Sequence, residues 1–499
     1  MRIWFPKQTN EGIGIGFNNQ KNLIHQRGIQ VISKMISIQK TFLAACILIL
    51  GLMTSTADVL HVGAAIVKIT PPLGIPLAGY YHERGSDGVH DDLFARALVL
   101  EKDDITLAMV SLDLITTKRP FVEEARKIIE SETGIKGEHV MISATHAHTG
   151  PILGGGRTRD EVEGEMGQLV KEYTRSLPGK IAQAVNIAAK NKVPGQTMAA
   201  VGFQDSIAFN RRFHMKDGSV GWNPGKLNPN IVKAAGPIDP EVPFVYFRTM
   251  DQTPVATYVN YSVHLDNVGG LEISADLPFS LSESLKQFLG HEAITLYVSG
   301  AAGDVNHIDV HWNQSQKGHQ NAARMGMVLA GEILGHWPQL QKVEGPLNAR
   351  SEFVTLPLPR ISPEEVETSK KVITTTQDNT RANFMKLVQA HKVLDVDARK
   401  GQPLEVEVQV FTLGTELAWV ALPGEVFVQL GLDLKLDSPF PQTMIAELAN
   451  GSIGYIPNVR AYPQGNYEVV SARCAVGSGE KLIQTAVQLL KQIYTEMSP

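Results

Sequence analysis

The stretch "ITLAMVSLDLI" (Ile105–Ile115), followed by "FVEEARKIIESETG" (Phe121–Gly134) and "HVMISATHAHTGP" (His139–Pro151), decides the fold of this chain. The first run is apolar and rich in β-branched residues, as in a buried strand, and the second has the apolar spacing of an amphipathic helix. The third run opens with another strand. This β-α-β order predicts a parallel pair, and open α/β sheets place their sites at the carboxyl ends of such strands. His146 and His148 lie directly after that end.

Taken alone, the pair His146 and His148 is ambiguous. Alternate residues of an extended chain point the same way, so two imidazoles at this spacing can converge on one point. Neutral imidazole is a common zinc ligand and also a common proton carrier. The spacing is compatible with a metal site, a proton-transfer pair or polar residues at the end of a strand, and alone it is weak evidence for a metal.

The remaining sequence predicts an α/β fold with mixed sheets flanked by helices. Residues 242–250 and 255–264 read as a hairpin, which brings His264 to the end of a strand. A helix is expected over residues 167–191, with a break near Pro178, and a long polar helix from Pro363 to about Val393. A soft internal boundary is expected near residue 345, and no internal repeat is visible.

The composition of the 499-residue chain is that of a globular protein. It is 43% hydrophobic and 19% charged, with a net charge of −5 and a pI near 6.3, and it has no long basic run. Nucleic acid is therefore not an expected partner.

The N-terminus predicts a secretory signal peptide at about residues 35–57. Lys34 and Lys40 precede an apolar run of about 13 residues and a small-residue cleavage site at Ser55–Ala57. The apolar run is short for a membrane span, which needs ~20 residues. We therefore expect a secreted or periplasmic protein without a transmembrane anchor, in which residues 1–57 are an upstream segment plus signal peptide and residues 58–499 are the catalytic domain.

Cleavage after Ala57 leaves Cys474 as the single cysteine of the mature chain. One cysteine excludes an intramolecular disulfide and any zinc site built from several cysteines. A metal ion must then be held by His, Asp, Glu or Tyr side chains.

Several further residues are candidates, each with an ordinary structural explanation. His264 ends a strand, where a structural histidine is common, and the glycine-rich turn Gly300–His307 lacks the spacing of a phosphate-binding loop. Glu425 has the position of a carboxylate in the first turn of a helix. Tyr455 and Tyr467 lie in loops, where tyrosines often serve only in packing.

Five segments, in this order, resemble the neutral/alkaline, non-lysosomal ceramidase family. They are "ISATHAHTGP" (142–151), "YVNYSVHLDN" (258–267), "GAAGDVNH" (300–307), "LPGEVFVQLGLDLK" (422–435) and "LANGSIGYIPN…NYEVVSA" (448–472). The similarity runs from about residue 60 to 490. Members of this family are extracytoplasmic zinc amidases that cleave the amide of N-acylsphingosine.

The resemblance implies one catalytic Zn²⁺ held by His146, His264, Glu425 and Tyr455. It places His148 beside the metal, as a general base and then a general acid. Such a nitrogen and oxygen ligand set suits zinc and leaves room for a water molecule.

The resemblance also places Arg211 at the substrate and Tyr467 near the scissile amide, where it can stabilise an oxyanion. Asn306 stands where the family has serine, which favours attack by metal-activated water over a serine nucleophile. The family's C-terminal β-sandwich is expected to be absent.

The expected function is hydrolysis of ceramide or a related N-acyl lipid, with a membrane surface as the expected place of the reaction. One alternative is a zinc hydrolase of the same fold that acts on a non-lipid amide or ester, and another is a non-catalytic extracellular binding protein. The polar stretch Gly154–Gly167 follows the histidines directly. It is either a wall of the site or a solvated surface loop.

Overall fold

The computed structural model describes residues 59–81, 84–155, 158–376 and 380–497, without the side chains of residues 381 and 382. The expected signal peptide and the segment before it lie outside the described residues. The chain from Leu60 onward forms one compact unit. Within the described ranges, no helix combines the length and the apolar character that crossing a membrane requires.

The strands of the described residues are β1 (His61–Lys68), β2 (Gly88–Val89), β3 (Phe94–Lys102), β4 (Ile105–Leu112), β5 (Val140–Ala144), β6 (Val193–Phe203), β7 (Phe209–Asn210), β8 (Arg212–Met215), β9 (Val220–Trp222), β10 (Ile231–Ala234), β11 (Glu241–Thr249), β12 (Pro254–Tyr261), β13 (Glu272–Ile273), β14 (Ile294–Ser299), β15 (Val305–Asn306), β16 (Gln341–Val343), β17 (Leu347–Leu356), β18 (Leu404–Leu413), β19 (Leu417–Ala421), β20 (Glu425–Val426), β21 (Gln442–Ala446) and β22 (Tyr455–Ile456).

The α-helices in the same ranges are α1 (Arg119–Thr133), α2 (Gly164–Lys190), α3 (Leu277–Leu289), α4 (His319–Gly335), α5 (Pro363–Thr375), α6 (Arg381–Asp397), α7 (Val428–Asp437), α8 (Tyr467–Ser471) and α9 (Ser478–Met497). With the strands they form the mixed α/β fold expected from the sequence.

The predicted β-α-β unit is confirmed. Strands β4 and β5 pair in parallel, with Ala108 opposite Val140, and α1 connects them. All five residues of β5 are buried, which explains why its sequence is apolar without alternation. The expected hairpin is β11–β12, which pairs antiparallel.

The main sheet has the order β14-β12-β11-β6-β1-β3-β4-β5, and its two halves repeat one succession of elements. A strand, a hairpin, a helix and an outer parallel strand appear as β1, β3–β4, α1 and β5, and again as β6, β11–β12, α3 and β14. The halves meet through a short pairing of β1 with β6. The sequence shows no repeat because the succession of elements recurs while the residues do not.

Because side chains alternate along each strand, each half of the sheet has two apolar faces. In β3, Ala97 and Val99 pack with α1 and α2, whereas Leu98 and Leu100 join a core shared with the other half. In the other half, Val259 of β12 faces α3 and α4. Period-two alternation therefore produces helices on the outside and a core between the two halves.

Two helix predictions were wrong. Helix α2 continues through Pro178 without a break, because its buried face packs along the first half of the sheet and tertiary packing outweighs the lost backbone hydrogen bond. The expected long polar helix is instead α5 and α6, with Thr376 ending the first and Thr380 capping the second.

A second sheet, β17-β18-β19-β21, begins at Leu347. One face packs against α7 and α9, and the other, which includes Trp419, joins the core between the halves of the main sheet. After it, β20 and β22 pair in parallel with Glu425 directly opposite Tyr455. This register brings two of the predicted metal ligands together.

Candidate metal centre

His146 follows the carboxyl end of β5 in a strained backbone conformation. Its φ of 74° lies in the left-handed region, which non-glycine residues rarely adopt, at a cost of about 1–3 kcal/mol. The backbone N–H of His146 donates to the carbonyl of Leu114, and its Nδ1 lies 2.7 Å from the carbonyl of Ile115. A carbonyl only accepts, so Nδ1 carries the proton and Nε2 presents a lone pair.

Three imidazoles converge at this point. The Nε2 atom of His146 lies 2.9 Å from that of His264 and 3.3 Å from that of His148, and the last two are 3.2 Å apart. The structure thus brings His146 and His264 together as predicted. It places His148 equally close, so the geometry does not separate a ligand role from a proton-transfer role for this residue.

Burial keeps these rings neutral. Desolvation is the largest cause that lowers the pKa of His146 and holds the pKa values of His148 and His264 well below the usual range. The positive charge of Arg211 adds to the lowering for all three. Neutral imidazole is the form that binds a metal ion.

Glu425 completes one side of the cluster. Its Oε2 lies 3.6 Å from Nε2 of His146, and the residue is buried. Gly303 lets the backbone of Glu425 come close, since a Cβ at position 303 would lie 2.5 Å from the carbonyl oxygen of Glu425. The glycine-rich turn at 300–307 therefore packs against the backbone that carries the Glu425 carboxylate.

Tyr455 is buried beside Glu425. Burial raises the pKa of its phenol well above the usual range, Glu425 raises it further, and Arg211 opposes both. The protein alone thus keeps Tyr455 as a neutral phenol, and a cation bound next to it would favour the phenolate.

Arg211 lies behind Tyr455. Its Nη2 donates to the phenol oxygen of Tyr455 (3.0 Å) and to the carbonyl of Gly303 (2.7 Å), and its Nε donates to Glu468 (2.9 Å). Arg211 is absent from the described residues that line the cavity beside the histidines. A substrate contact by Arg211 stays a prediction, and the contacts seen are those of a residue that positions Tyr455.

A cavity of about 40 Å³ opens beside the histidines. It is lined in part by His146, His148, Glu425, Tyr455 and Tyr467. The predicted site residues, apart from Arg211 and the more deeply placed His264, thus share one cavity wall.

Tyr467 belongs to an aromatic group that also contains Trp222 and Phe384. Its ring centroid lies 4.4 Å from that of Trp222, 5.6 Å from that of Phe384 and 5.4 Å from that of Tyr455. Burial raises the pKa of Tyr467, so at neutral pH it keeps a proton to donate. Phe384 belongs to α6, whose contribution to the site had no signal in the sequence beyond a polar helical pattern.

Asp266 is a further residue of the site that sequence reasoning did not assign. Its Oδ1 accepts a hydrogen bond from the hydroxyl of Tyr80 (3.0 Å) and lies 3.6 Å from Nδ1 of His148. A carboxylate on the far nitrogen orients a histidine whose other nitrogen faces a metal. The sequence feature that could have identified Asp266 was its position two residues after His264.

The donor set fits a zinc ion. Ligands about 2.0–2.1 Å from a tetrahedral zinc lie about 3.3 Å apart. The Nε2 atoms of His146 and His264 are somewhat closer, at 2.9 Å, and each lies 3.2–3.3 Å from Nε2 of His148. One hydrogen cannot satisfy three Nε2 atoms that face one another, whereas one cation can accept all their lone pairs. The cluster of His146, His148 and His264 can therefore hold a metal ion.

Two solved structures of ceramidases share this architecture. Neutral ceramidase from Pseudomonas aeruginosa matches with a TM-score of 0.69 and 18% identity, over 88% of this chain and 75% of that chain. A structure described as ceramidase complexed with C2 matches with a TM-score of 0.67 and 16% identity, over 88% of this chain and 76% of that chain. No protein-family model and no curated protein matches the sequence.

The described residues thus define an α/β protein with a buried histidine cluster at the carboxyl ends of its strands. Its fold is that of the neutral ceramidases, as the ordered segments of the sequence predicted.

Proposed function

We propose that this protein is a zinc-dependent amidohydrolase that cleaves the N-acyl amide of ceramide or of a related N-acyl lipid. The observation that carries the proposal is the convergence of three buried, neutral imidazoles within 2.9–3.3 Å of one another, with Glu425 beside them. The ceramidase fold adds support for amide hydrolysis as the reaction.

In this proposal His146, His264, Glu425 and Tyr455 hold the ion, and Arg211 keeps Tyr455 in position by its hydrogen bond. The chemistry that zinc supplies when bound is a water of lowered pKa and a polarised amide carbonyl. Side chains of the protein carry out the proton transfers and stabilise the oxyanion.

His148 takes the proton of the attacking water and later gives it to the departing amine. The carboxylate of Asp266 lies 3.6 Å from Nδ1 of His148, where its negative charge favours the imidazolium that forms in this transfer. Tyr467, which stays protonated, donates a hydrogen bond to the oxyanion that develops on the carbonyl. The aromatic group around Tyr467 excludes water from that side.

We further propose that the protein acts outside the cytoplasm after removal of residues 35–57, and that its substrate is an N-acyl lipid, at a membrane surface where the lipid resides. The predicted signal peptide and the ceramidase fold support this placement.

The test uses the purified mature chain, stripped of metal with a chelator and then supplied with zinc. N-dodecanoylsphingosine is compared with N-dodecanoylglucosamine and with a dodecanoyl ester. Zinc-dependent release of sphingosine is expected. Cleavage restricted to the sugar amide or the ester would establish the alternative zinc hydrolase, and zinc binding without turnover of these compounds or of any other N-acyl amide would establish a binding protein.

A further inference from the structure

The wall of the cavity contains a cation that the proposed reaction does not use. Arg159 lines the cavity together with His146, His148 and Tyr467. Its Nε donates to Oδ1 of Asp160 (3.1 Å), and its guanidinium carbon lies 5.1 Å from the ring centroid of Tyr81. Neither Nη nitrogen of Arg159 meets a hydrogen-bond acceptor among the residues that the structure describes.

The charge at this part of the wall is not balanced. Asp160 is shared between two cations, since Lys118 Nζ also lies 3.4 Å from its Oδ2. Arg473 has its own partner in Asp395. One carboxylate therefore faces two cations at this part of the wall, and Glu425 is the other carboxylate among the described residues that line the cavity.

Arg159 is close enough to the reacting groups to act on them. Its charge contributes to the lowering of the pKa of His148 and opposes the rise in the pKa of Tyr467. A group bound by Arg159 would thus lie near the scissile amide and not at a distant surface.

The segment that carries Arg159 is anchored. The backbone N–H and the hydroxyl of Thr158 both donate to Oδ1 of Asp395 on α6 (2.8 and 2.9 Å), and the same hydroxyl lies 3.0 Å from Nδ1 of His391. Tyr81 packs against His391 and against Phe384. These contacts hold the residue before Arg159 against α6, and the guanidinium is oriented by its hydrogen bond to Asp160 and its position over the ring of Tyr81.

We propose that Arg159 binds a carboxylate next to the scissile amide, which makes N-acyl amino acids the preferred substrate class. This inference rests on the proposed amide hydrolysis. The planar guanidinium presents two parallel N–H groups, the geometry that pairs with a carboxylate. A neutral N-acylsphingosine would displace the solvent that reaches both Nη groups without replacing its hydrogen bonds, which disfavours binding.

The reaction is then hydrolysis of an N-acyl amino acid. Water adds to the acyl carbon, the C–N bond breaks, and the water proton passes to the leaving nitrogen. The products are a fatty acid and a free amino acid, whose carboxylate stays on Arg159 until release.

The test compares two substrates that differ only in the group of interest. N-dodecanoylglycine carries a carboxylate where N-dodecanoylethanolamine carries a hydroxymethyl group. For the zinc-loaded wild type, kcat/KM for the glycine compound should be higher by about 10- to 100-fold, the size expected for hydrogen bonds to a charged group. Most of the difference should appear in KM.

In Arg159→Gln this ratio should fall toward one, and Arg159→Lys should retain part of it because charge remains without the planar fork. Arg175→Gln, which changes an exposed arginine of α2, serves as the control and should keep the wild-type ratio. Thermal unfolding of each variant checks that it folds.

The outcomes separate the two proposals. Equal cleavage of both substrates by wild type, or a preference that survives in Arg159→Gln, overturns the role of Arg159 and leaves amide hydrolysis intact. If neither compound is cleaved while N-dodecanoylsphingosine is, the role of Arg159 is overturned and amide hydrolysis stands; if N-dodecanoylsphingosine is not cleaved either, the proposed function fails. Binding is then measured without turnover, as the increase in unfolding temperature that N-dodecanoylglycine produces beyond that produced by N-dodecanoylethanolamine. An equal increase in wild type and Arg159→Gln overturns the binding role of Arg159.

Discussion

Two groups of possible metal ligands among the described residues differ in geometry. One is the buried group of His146, His148 and His264, and the other is His90, Asp91 and His319, with His90 at the surface. In the first, the rings of His146 and His264 are nearly perpendicular, at 84°, and their Nε2 atoms face each other at 2.9 Å. In the second, the rings of His90 and His319 are stacked at 8° with centroids 3.6 Å apart.

The orientation of the rings decides which group suits a metal ion. A nitrogen lone pair lies in the plane of its ring, so the lone pairs of stacked rings run in parallel planes and do not meet. His90 and His319 are moreover each next to a carboxylate, at 2.8 Å from Asp91 and 3.4 Å from Glu272. Proximity of histidines is therefore insufficient, and convergent lone pairs with a defined tautomer are the feature that separates the two groups.

The largest effect is expected for the buried group. His264→Ala removes one of three convergent donors, so bound zinc should be lost and turnover should fall by about 10³-fold or more, because the ion contributes several kcal/mol to the transition state. Zinc content by atomic emission and initial rates at saturating substrate measure both. Full zinc occupancy in His264→Ala would contradict the assignment of this group as the metal centre.

A buried histidine outside the cluster should affect the pH dependence of stability and not metal binding. His307 is buried, and desolvation lowers its pKa to about 4 from 6.5. The unfolded chain then binds the proton first, so stability is present above pH 6.5 and is lost as the pH falls toward 4, by about 3 kcal/mol.

Urea unfolding of the metal-free protein at pH 7 and pH 4 measures this loss. His307→Gln has no ring to protonate, so its free energy of unfolding should fall by about 3 kcal/mol less over the same interval. An identical fall in both proteins would exclude His307 as the source.

Convergence itself can be disturbed without changing a histidine. A Cβ on Gly79 would lie 2.5 Å from Nδ1 of His148, so Gly79→Ala should displace that ring and reduce kcat by about 10²-fold, as a misplacement of about 1 Å does. Gly134→Ala is the matched control, because its φ of 76° is also positive and nothing lies within 4 Å of the new Cβ. Equal losses in the two variants would assign the effect to backbone strain alone.

The sequence was informative where local pattern and structure agree. The apolar run of β5 and the amphipathic spacing of α1 predicted the parallel pair and hence the position of His146 and His148. The ordered segments brought His264, Glu425 and Tyr455 to the same site, and β20–β22 pairing explains how two of them meet.

Other features depend on contacts that no local pattern encodes. Helix α2 continues through Pro178 because it packs on the sheet. Phe384 reaches the site only because α6 lies beside Tyr467, which is distant in sequence. Arg159 lies in a polar stretch that was equally compatible with a surface loop. The orientation of the Arg159 side chain depends on its contacts with Asp160 and Tyr81, which the sequence does not predict.

The smallest effect is expected for the stacked group, and it makes the comparison sharpest. The double variant His90→Ala/His319→Ala removes both imidazoles of this group, yet zinc per chain should not change and kcat/KM should stay within about twofold. The free energy of unfolding should change by about 0.5 kcal/mol or less, since His90 is largely exposed. Loss of a second zinc equivalent would show that the stacked histidines can reorient to share an ion. Convergence of the rings would then not be the criterion that distinguishes a metal centre.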